Sequence, residues 1–283
     1  MGEPSRAVLI TGCSSGIGHA TAVRLARSGW KVYASARRPE SIVDLEAAGC
    51  RTLALDVTDE DSMRAAVAEI ELAEGAIGVL INNAGYSQSG AIETVPMEAV
   101  RRQFETNVFG LVRLTQLVLP RMRGQRWGRI VNVGSMGGRL SFPGGGHYHA
   151  TKHALEAISD ALRYELHGFG IEVVLLEPGL ITTAFGDTAS ASMAAAAGAG
   201  NDPYAHFNAT VGAVTKAAYE GPMRLLGGGP DRVAKVIERS LTRRHPPARI
   251  TVTPSAKLTL ALRRLLSDRV WEAAMRRQFP QPE

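Results

Sequence analysis

The sequence of 283 residues lacks the features that mark membrane, secreted and disordered proteins. It contains no apolar run near the ~20 residues that a membrane-spanning helix needs. Its two cysteines, Cys13 and Cys50, are too few for a disulfide framework, and an apolar segment begins at Ala7, so we expect no signal peptide. Only 21% of the residues are charged, which is not the composition of a disordered chain. These absences predict a cytoplasmic globular protein with reduced thiols.

Positive charge is concentrated towards the end of the chain. The formal net charge is +5, and the residues from Pro230 onward include 12 Lys or Arg against 5 Asp or Glu. The first 229 residues are therefore net negative, at −2. A nucleic-acid-binding domain is expected to carry its basic residues on a face of the folded core. The charge distribution therefore predicts no nucleic-acid partner.

Short runs rich in Val, Ile and Leu alternate with helical patterns through most of the chain. The predicted strands are 7–11, 31–36, 52–55, 77–81, 129–133, 172–176 and 249–253. The predicted helices are 16–28, 41–48, 59–73, 97–122, 148–167 and 231–242. Buried strands that alternate with helices are typical of a parallel sheet covered on both faces. We therefore predict an α/β fold with a doubly wound parallel sheet of the Rossmann type.

The alternation breaks after Pro178. Residues 187–200 are almost all Ala, Gly, Ser and Met, which suggests a mobile insertion of low complexity rather than a second domain. We expect one catalytic domain over residues 1–253, within which residues 184–229 form a substrate lid. Residues 254–283 are predicted to be a C-terminal helical extension.

A glycine-rich turn, Thr-Gly-Cys-Ser-Ser-Gly-Ile-Gly, follows the first predicted strand. Gly12 allows a sharp turn, Gly16 allows the backbone to approach a pyrophosphate, and Gly18 allows the next helix to pack close to the sheet. The N-terminus of that helix offers unpaired N–H groups and a partial positive charge to phosphates. The pattern therefore predicts a dinucleotide site. Its further expected contacts are Ser14, Ser15 and Ile17.

The end of the second predicted strand distinguishes between the two nicotinamide cofactors. Dinucleotide folds that bind NAD place an acid there to accept hydrogen bonds from the ribose. In this sequence the position is Ala36, and Arg37 and Arg38 follow it. A guanidinium group can bind a 2′-phosphate through two hydrogen bonds. The sequence therefore favours NADP(H), and the alternative is that both arginines are solvated surface charges.

Tyr148 and Lys152 are four residues apart in a predicted helix, so their side chains share one face. Free tyrosine has a pKa near ~10, which is too high for a base at neutral pH. A lysine ammonium one turn away favours the tyrosinate and lowers that pKa. Ser135 follows a predicted strand and is a candidate hydrogen-bond donor to a substrate oxygen.

These motifs together resemble the short-chain dehydrogenase/reductase family over about residues 5–185, and more loosely to residue 253. The glycine-rich turn is similar to the family's TGxxxGxG segment, and Asn82-Asn83-Ala84-Gly85 matches its fourth-strand motif. The catalytic tetrad of the family matches, in order and spacing, Asn107, Ser135, Tyr148 and Lys152. The resemblance assigns further cofactor contacts to Asp56, Val57, Asn83, Ala84, Gly85, Pro178, Gly179, Thr182 and Thr183.

The resemblance also implies a role for each residue of the tetrad. Tyr148 exchanges the proton, and Ser135 holds the substrate oxygen. Lys152 binds the nicotinamide ribose and lowers the pKa of Tyr148, while Asn107 positions a water that links Lys152 to solvent. No metal ion is expected. The two histidines beside Tyr148 are not expected to be catalytic, because their side chains diverge from it on a helix; of the two, His147 is expected to line the substrate pocket.

Within the family, the sequence looks similar to hydroxysteroid and retinol dehydrogenases. The predicted pocket edge is apolar and suits a bulky steroid-, retinoid- or lipid-like ketone, aldehyde or alcohol. Its residues are Met136, Leu140, Phe142, Phe185 and Met193, with Ser135, His147 and Tyr148 as polar contacts. One alternative is a ketoreductase acting on acyl-thioester or polyketide intermediates. An alternative of another class is a noncatalytic NADPH-sensing scaffold.

Two further expectations concern surfaces. A homodimer or homotetramer is expected to form through helices 97–122 and 148–167, whose outer faces are predicted to carry Phe104, Val108, Leu111, Ala157 and Ala161. In the extension, helix 268–278 is predicted to cover the substrate entrance with an apolar side. That side comprises Val270, Trp271, Ala274 and Met275, with Phe279 just beyond. Contact of this basic helix with a membrane surface is the alternative that we do not favour.

Overall fold

Seven parallel strands form one sheet in the part of the chain that the computed structural model describes, which is residues 3–183, 185–196, 202–279 and 281–282. The order across the sheet is β3-β2-β1-β4-β5-β6-β7. The strands are β1 (Val8–Ile10), β2 (Val32–Ala36), β3 (Arg51–Ala54), β4 (Val79–Asn82), β5 (Gly128–Val133), β6 (Ile171–Glu177) and β7 (Arg249–Thr251).

Helices cover both faces of this sheet. They are α1 (Gly16–Arg27), α2 (Glu60–Glu74), α3 (Met97–Phe104), α4 (Gly110–Gly124), α5 (Gly146–Leu166), α6 (Phe185–Ala196), α7 (Ala205–Glu220), α8 (Pro230–Thr242), α9 (Pro254–Leu265) and α10 (Asp268–Gln278). Short 3₁₀ segments span Pro39–Ala48, Met136–Gly138, His167–Phe169 and Pro222–Leu226. None of the helices in the described ranges has the length and apolar character that crossing a bilayer requires.

The core lies in two layers, one on each face of the sheet. Side chains alternate along a strand, so Ile10 of β1 packs with Leu25 of α1 and Ile237 of α8, whereas Leu9 packs on the other face with Leu114 of α4. Each such side chain stabilises the fold by about 1.5–3 kcal/mol relative to an exposed one. The predicted doubly wound Rossmann-type architecture is confirmed.

The strand order reverses at β1, which lies between β2 and β4. In open parallel sheets the loops diverge at such a point and leave a crevice at the carboxyl ends of the strands. The glycine-rich turn follows β1, and the Asn83 motif follows β4, so both border this crevice.

The predicted helix 97–122 is interrupted. A π-helical segment, Glu105–Phe109, separates α3 from α4. Gly110 begins α4 against the Val57 carbonyl, where a Cβ atom would lie only 2.3 Å from the oxygen. The extra residue in a π turn is not visible in apolar periodicity, and it often marks a functional position. Here it contains the buried side chain of Asn107.

The insertion that follows β6 is largely helical, where the sequence suggested low complexity without assigned helices. α6 and α7 pack on one another, and Met193, Phe207 and Val211 join their contact. Alanine is the best helix former, so the composition that looks unstructured favours helix. Residues 197–201 lie outside the described residues.

The structure contradicts part of the expectation about which residues lie on the outer faces of the long helices. Val108 and Leu111 are buried within the chain, where they pack against Leu155 of α5. Phe104 is half-buried, whereas Ala157 and Ala161 are exposed as expected. Periodicity alone did not show this, because the π turn shifts the faces of the helix on either side of it.

The extension packs against the insertion through one side of α10. The rings of Trp271 and Phe142 are 6.2 Å apart, and Met275 and Phe279 pack with Phe207 of α7. Val270 was expected on the same side, but it is 50% exposed, and Ala274 is exposed as well.

Candidate active site

The glycine-rich turn is held in a conformation that needs glycine. Gly12 and Gly16 have φ values of +72° and +61°, which side chains other than glycine rarely adopt. A Cβ atom on Gly18 would lie 2.4 Å from the Gly12 carbonyl oxygen. The Nδ2 atom of Asn83 donates hydrogen bonds to the carbonyls of Thr11 and Gly12, at 2.9 and 3.0 Å. The motif after β4 therefore fixes the turn after β1.

The N-terminus of α1 is open to an anion. Ser15 is its N-cap residue but makes no side-chain capping hydrogen bond, and the first turn contains no acidic residue. Ser14 and Ser15 are exposed, and Ile17 is half-buried. The first N–H groups of a helix attract anions when no side chain caps them. This local chemistry fits a phosphate group.

The neighbouring loops extend the same edge of the sheet. Arg37 and Arg38 follow β2, are exposed, and make no ion pair within the described ranges. After β3, Asp56 accepts hydrogen bonds from the backbone N–H and the hydroxyl of Thr58, at 2.9 and 2.7 Å. The adjacent Val57 is buried. The structure thus brings the expected cofactor contacts from β1, β2 and β3 to one edge.

The loop after β6 closes the crevice from the other side. The Pro178 carbonyl accepts a hydrogen bond from the Met136 N–H at 2.9 Å. Thr182 donates its N–H to the Gly228 carbonyl, and the Thr183 side chain lies 3.2 Å from where a Gly16 Cβ atom would be. Gly179 packs so closely on Thr253 that a Cβ atom there would be 2.4 Å from the threonine hydroxyl.

Asn107 links the cofactor edge to α5. Its Oδ1 atom accepts a hydrogen bond from the Tyr86 N–H at 3.0 Å, and its Nδ2 atom donates to the Tyr86 carbonyl and the Thr151 hydroxyl. A Cβ atom on Gly85 would lie 3.1 Å from Asn107 Oδ1 and 3.9 Å from Lys152 Nζ. Both polar atoms of the Asn107 amide group therefore make hydrogen bonds. Because Gly85 has no side chain, Asn107 and Lys152 have room beside it.

Ser135, Tyr148 and Lys152 meet at the carboxyl end of β5. The Ser135 hydroxyl is close enough to that of Tyr148 to lower the Tyr148 pKa, and Ser135 Oγ accepts a hydrogen bond from the Gly137 N–H at 3.1 Å. Lys152 Nζ lies 5.7 Å from the Tyr148 ring centroid and donates to the Val133 carbonyl at 2.9 Å. The structure therefore assembles the four residues that the motif predicted.

Burial sets the charge states of this cluster. Burial raises the pKa of Tyr148 well above its usual range, the hydrogen bond from Ser135 opposes that shift, and the nearby Tyr219 adds to it. Burial also lowers the pKa of Lys152 to about 8. Lys152 therefore keeps its proton at neutral pH, and Tyr148 remains a neutral proton donor in the protein alone.

The two histidines beside Tyr148 differ. His149 is buried, its Nδ1 atom contacts the Gly137 carbonyl at 3.1 Å, and burial lowers its pKa to about 4. Its ring centroid lies 5.6 Å from that of Tyr148, so the two side chains are closer than the expected divergence on a helix suggests. His147 has a buried Nε2 atom without a hydrogen-bond partner among the described residues.

The residues predicted for the apolar pocket edge differ in their surroundings. Phe185 lies with its ring centroid 5.3 Å from that of Tyr148, and Met136 is half-buried beside Ser135. Leu140 is buried, and Phe142 contacts the rings of His149 and Trp271.

Sequence reasoning missed Tyr219 of α7. Its ring packs on α6, where a Cβ atom on Gly186 would lie 3.0 Å from it, and burial raises its pKa to about 12. The charge of an ionised Tyr219 would raise the pKa of Tyr148 further, and Gly186 beside it follows Phe185, whose ring lies next to Tyr148. No sequence signal marks this residue, because it lies in an insertion without a recognisable motif.

A buried carboxylate, also missed, supports the loop after β6. Glu177 is fully buried and pairs with Arg139 and Arg249, and it accepts a hydrogen bond from the Thr251 hydroxyl at 2.8 Å. Buried charges require such partners. The network ties β6 to β7 immediately before Pro178.

Known proteins match the chain over nearly all of its length. A family model described as short chain dehydrogenase matches residues 6–194. An oxidoreductase of Bacillus subtilis is 37% identical, covering 96% of this chain and 97% of the relative. A 3-ketodihydrosphingosine reductase of Bacteroides thetaiotaomicron is 36% identical, covering 95% and 96%. An NADPH-dependent 3-dehydrocapnine reductase of Ornithobacterium rhinotracheale is 35% identical, covering 94% of each.

Solved structures agree with these matches. A short-chain dehydrogenase from Streptomyces avermitilis superposes with a TM-score of 0.75 at 34% identity, covering 96% of this chain and 98% of that one. A short-chain dehydrogenase/reductase from Burkholderia phymatum, in complex with NAD, superposes with a TM-score of 0.77 at 26% identity, covering 94% and 95%.

Proposed function

Because the chain belongs to the short-chain dehydrogenase family, we propose that it transfers a hydride between NADP(H) and a hydrophobic ketone or aldehyde, interconverting it with its alcohol. The observation that carries this proposal is the position of Lys152 Nζ, which lies 5.7 Å from the Tyr148 ring centroid and is held by the Val133 carbonyl, with Ser135 just beyond the same strand. A proton donor, an oxygen-binding hydroxyl and a cation in one pocket suit carbonyl reduction.

The nicotinamide ring, when bound, supplies or accepts the hydride. Tyr148 donates its proton to the carbonyl oxygen during reduction and removes it from the alcohol during oxidation. The oxygen of Ser135 already accepts from the Gly137 N–H, so its own proton is available to the substrate oxygen. Lys152 favours the tyrosinate through its charge and binds the nicotinamide ribose. Asn107 holds the Tyr86 backbone and Thr151 in position beside Lys152. The water that the family resemblance assigns to Asn107 would then be bound by its backbone rather than by its amide side chain.

The open N-terminus of α1 suits the pyrophosphate that both nicotinamide cofactors contain. The feature that supports NADP(H) over NAD(H) is the pair Arg37 and Arg38, whose unpaired guanidinium groups suit a 2′-phosphate where Ala36 replaces an acid. The cofactor cradle then consists of the glycine-rich turn, Asp56 and Val57, the Asn83 motif, and Pro178 with Thr182 and Thr183. The NADPH dependence named for the Ornithobacterium relative agrees with this preference.

A lipid-like substrate is favoured within this proposal. Phe185 lies against Tyr148, Phe142 packs on the adjacent His149, and His147 offers a buried nitrogen to a polar group of the substrate. Met136 and Leu140 extend this apolar surface in the proposal. The relative from Bacteroides thetaiotaomicron acts, by its name, on 3-ketodihydrosphingosine, and a keto lipid would suit this surface. A steroid- or retinoid-like ketone suits the same surface.

We further propose that residues 184–229 form the substrate lid within the catalytic domain 1–253, and that α10 in the extension 254–283 covers the entrance. Phe185 contacts Tyr148 from this insertion, Tyr219 packs on Gly186 beside Phe185, and Trp271 packs on Phe142. The proposed location is the cytoplasm, where the buried thiols of Cys13 and Cys50 remain reduced. The proposed assembly is a homodimer or homotetramer through α4 and α5, whose exposed side chains include Ala157 and Ala161.

A screen that follows NADPH absorbance with free ketones, and NADP reduction with alcohols, tests this function. Activity with long-chain or polycyclic ketones supports it. Activity restricted to acyl-thioesters would favour a ketoreductase of carrier-bound intermediates instead. Tight NADPH binding without turnover of either class would contradict an enzymatic function and favour a cofactor-sensing scaffold.

A further inference from the structure

The outer side of α9 is apolar. Leu258, Leu262 and Leu265 are 52%, 44% and 81% exposed, and their spacing places them on one side of the helix. The opposite side faces the protein through the buried residues Ala256 and Leu260. The exposed leucines are therefore not on the side of α9 that packs onto the core.

A neighbouring segment extends this surface. The 3₁₀ segment Pro222–Leu226 contacts α9, and its side chains Met223 and Leu225 are 45% and 85% exposed. We use the name α9 face for these two side chains together with the three leucines of α9. Scattered exposed apolar residues are ordinary, but a contiguous group is typical of an interaction surface.

Cations without an ion pair among the described residues lie on α9 itself and on α10, which follows it in the chain. Residues 254–282 include six Lys or Arg and two Asp or Glu. The two acidic residues, Asp268 and Glu272, already pair with arginines of the same segment. The cations that make no ion pair within the described residues are Lys257, Arg264, Arg269 and Arg277.

We propose that the α9 face binds the surface of a membrane that contains anionic lipid. An apolar stripe bordered by cations is the pattern of helices that lie in the lipid interface, with leucines among the upper acyl chains and cations at the headgroups. A second copy of this chain across a two-fold axis is the competing occupant. That arrangement would bring identical cationic surfaces together, which like-charge repulsion opposes.

α9 is joined to the loop that borders the proposed active site. Ser255 at the start of α9 accepts a hydrogen bond from the Leu180 N–H at 3.3 Å, and the 3₁₀ segment of the α9 face directly follows α7 of the proposed lid. Membrane binding would thus hold the proposed lid near lipid-dissolved substrates. That consequence rests on the proposed function, whereas membrane binding itself does not.

Co-sedimentation of the full chain with vesicles tests the proposal. The vesicles are phosphatidylcholine alone, or phosphatidylcholine with about 30% phosphatidylserine. The variant Leu258→Ser/Leu265→Ser removes apolar contacts, and Lys257→Gln/Arg264→Gln removes charge. A matched control, Val43→Ser/Leu72→Ser, changes two side chains elsewhere that are 54% and 91% exposed.

We expect the wild type and the control to bind the anionic vesicles at least roughly tenfold better than either α9 variant, and better than they bind phosphatidylcholine alone. NADPH binding and turnover of a water-soluble ketone are expected to stay unchanged in both α9 variants, so failure of this proposal is separable from failure of the proposed function. Absence of wild-type binding, or equal binding by the leucine variant and the control, would overturn the proposal. A change in molar mass by light scattering in the leucine variant, without vesicle binding by the wild type, would assign the α9 face to contact between copies.

Discussion

Lys152 Nζ lies 5.7 Å from the centroid of the Tyr148 ring and donates a hydrogen bond to the Val133 carbonyl at 2.9 Å. The bond to β5 fixes the ammonium group beside the tyrosine before any ligand arrives. No carboxylate within the described residues pairs with Lys152, so burial lowers its pKa to about 8. The site therefore keeps a poorly hydrated cation next to its proton donor, at a cost in folding stability.

Replacing this lysine tests that cost. We expect Lys152→Met to abolish turnover and to raise the free energy of unfolding of the cofactor-free protein near neutral pH. The pKa of about 8 in the folded state lies below the ordinary lysine value of 10.5, so protonated Lys152 destabilises the fold at low pH. Each pKa unit corresponds to ~1.4 kcal/mol of stability. The variant also loses the hydrogen bond to the Val133 carbonyl, so its free energy of unfolding should exceed that of the wild type by about 2 kcal/mol.

The pH dependence of this effect has a definite sign. Between pH 8 and 10.5, Lys152 is protonated in the unfolded chain but has released its proton in the folded protein. The free energy of unfolding of the wild type therefore rises relative to that of the variant as pH increases through this window. Urea unfolding at several pH values measures the difference. Lys257→Met, on the exposed surface of α9, serves as the control and should show no such trend. A Lys152→Met variant less stable than the wild type near pH 7 would contradict the assignment.

Arg37→Asp is expected to shift cofactor preference towards NAD(H). The substitution removes a partner of the 2′-phosphate and supplies a carboxylate for the ribose beside Ala36. Charge-assisted hydrogen bonds contribute ~1.5–3 kcal/mol, so the NADP/NAD ratio of kcat/KM should fall at least about tenfold. Arg38→Asp is the matched variant, and steady-state kinetics with both cofactors gives the ratio. A fall seen only in the Arg38 variant would move phosphate recognition to that residue, and no fall in either would remove both from it.

Gly18→Ala is expected to weaken NADPH binding at least about tenfold and to lower stability, because its Cβ atom would lie 2.4 Å from the Gly12 carbonyl oxygen and 2.5 Å from Asn83 Nδ2. Gly124→Ala is the control, because a Cβ atom there meets no atom within 4 Å. NADPH fluorescence titration measures both affinities. Unchanged binding by the Gly18 variant would mean that this turn does not hold the cofactor.

Tyr219→Ala is expected to raise KM for a hydrophobic ketone several-fold and to leave NADPH affinity unchanged. The substitution opens a gap between α6 and α7 beside Tyr148, since the ring of Tyr219 packs on Gly186. Tyr219→Phe keeps the ring and should retain most of the substrate affinity. Kinetics of both variants under saturating NADPH separates the two contributions. An equal KM in Tyr219→Ala and the wild type would exclude this part of the insertion from the substrate site.

Much of the fold was predictable because local sequence and tertiary structure agree. Val, Ile and Leu runs become strands buried on both faces, and Gly12, Gly16 and Gly18 stand where the backbone admits no side chain. The tetrad was predictable because its spacing is a motif, and the structure brings Ser135, from the end of β5, to the two residues of α5.

The rest depended on contacts between distant residues or on irregular backbone. The π turn at Glu105–Phe109 moves Val108 and Leu111 into the core, and apolar periodicity does not reveal it. The Ala-rich insertion forms α6 and α7, and only their packing brings Tyr219 to Tyr148. In the sequence, Glu177 looks like an ordinary acidic residue at the end of a strand. Only the three-dimensional structure shows that it pairs with Arg139 and Arg249.

The turnover of Tyr148→Phe, measured by NADPH absorbance with the best ketone from the substrate screen, tests the central claim most directly. The substitution removes the proposed proton donor and keeps the ring that packs on Phe185 and His149. General acid–base catalysis contributes roughly 10²–10⁴-fold, so we predict a rate below a few per cent of the wild type, with NADPH affinity nearly unchanged. A Tyr148→Phe variant that binds NADPH normally and retains more than a few per cent of the wild-type rate would show that Tyr148 is not the proton donor.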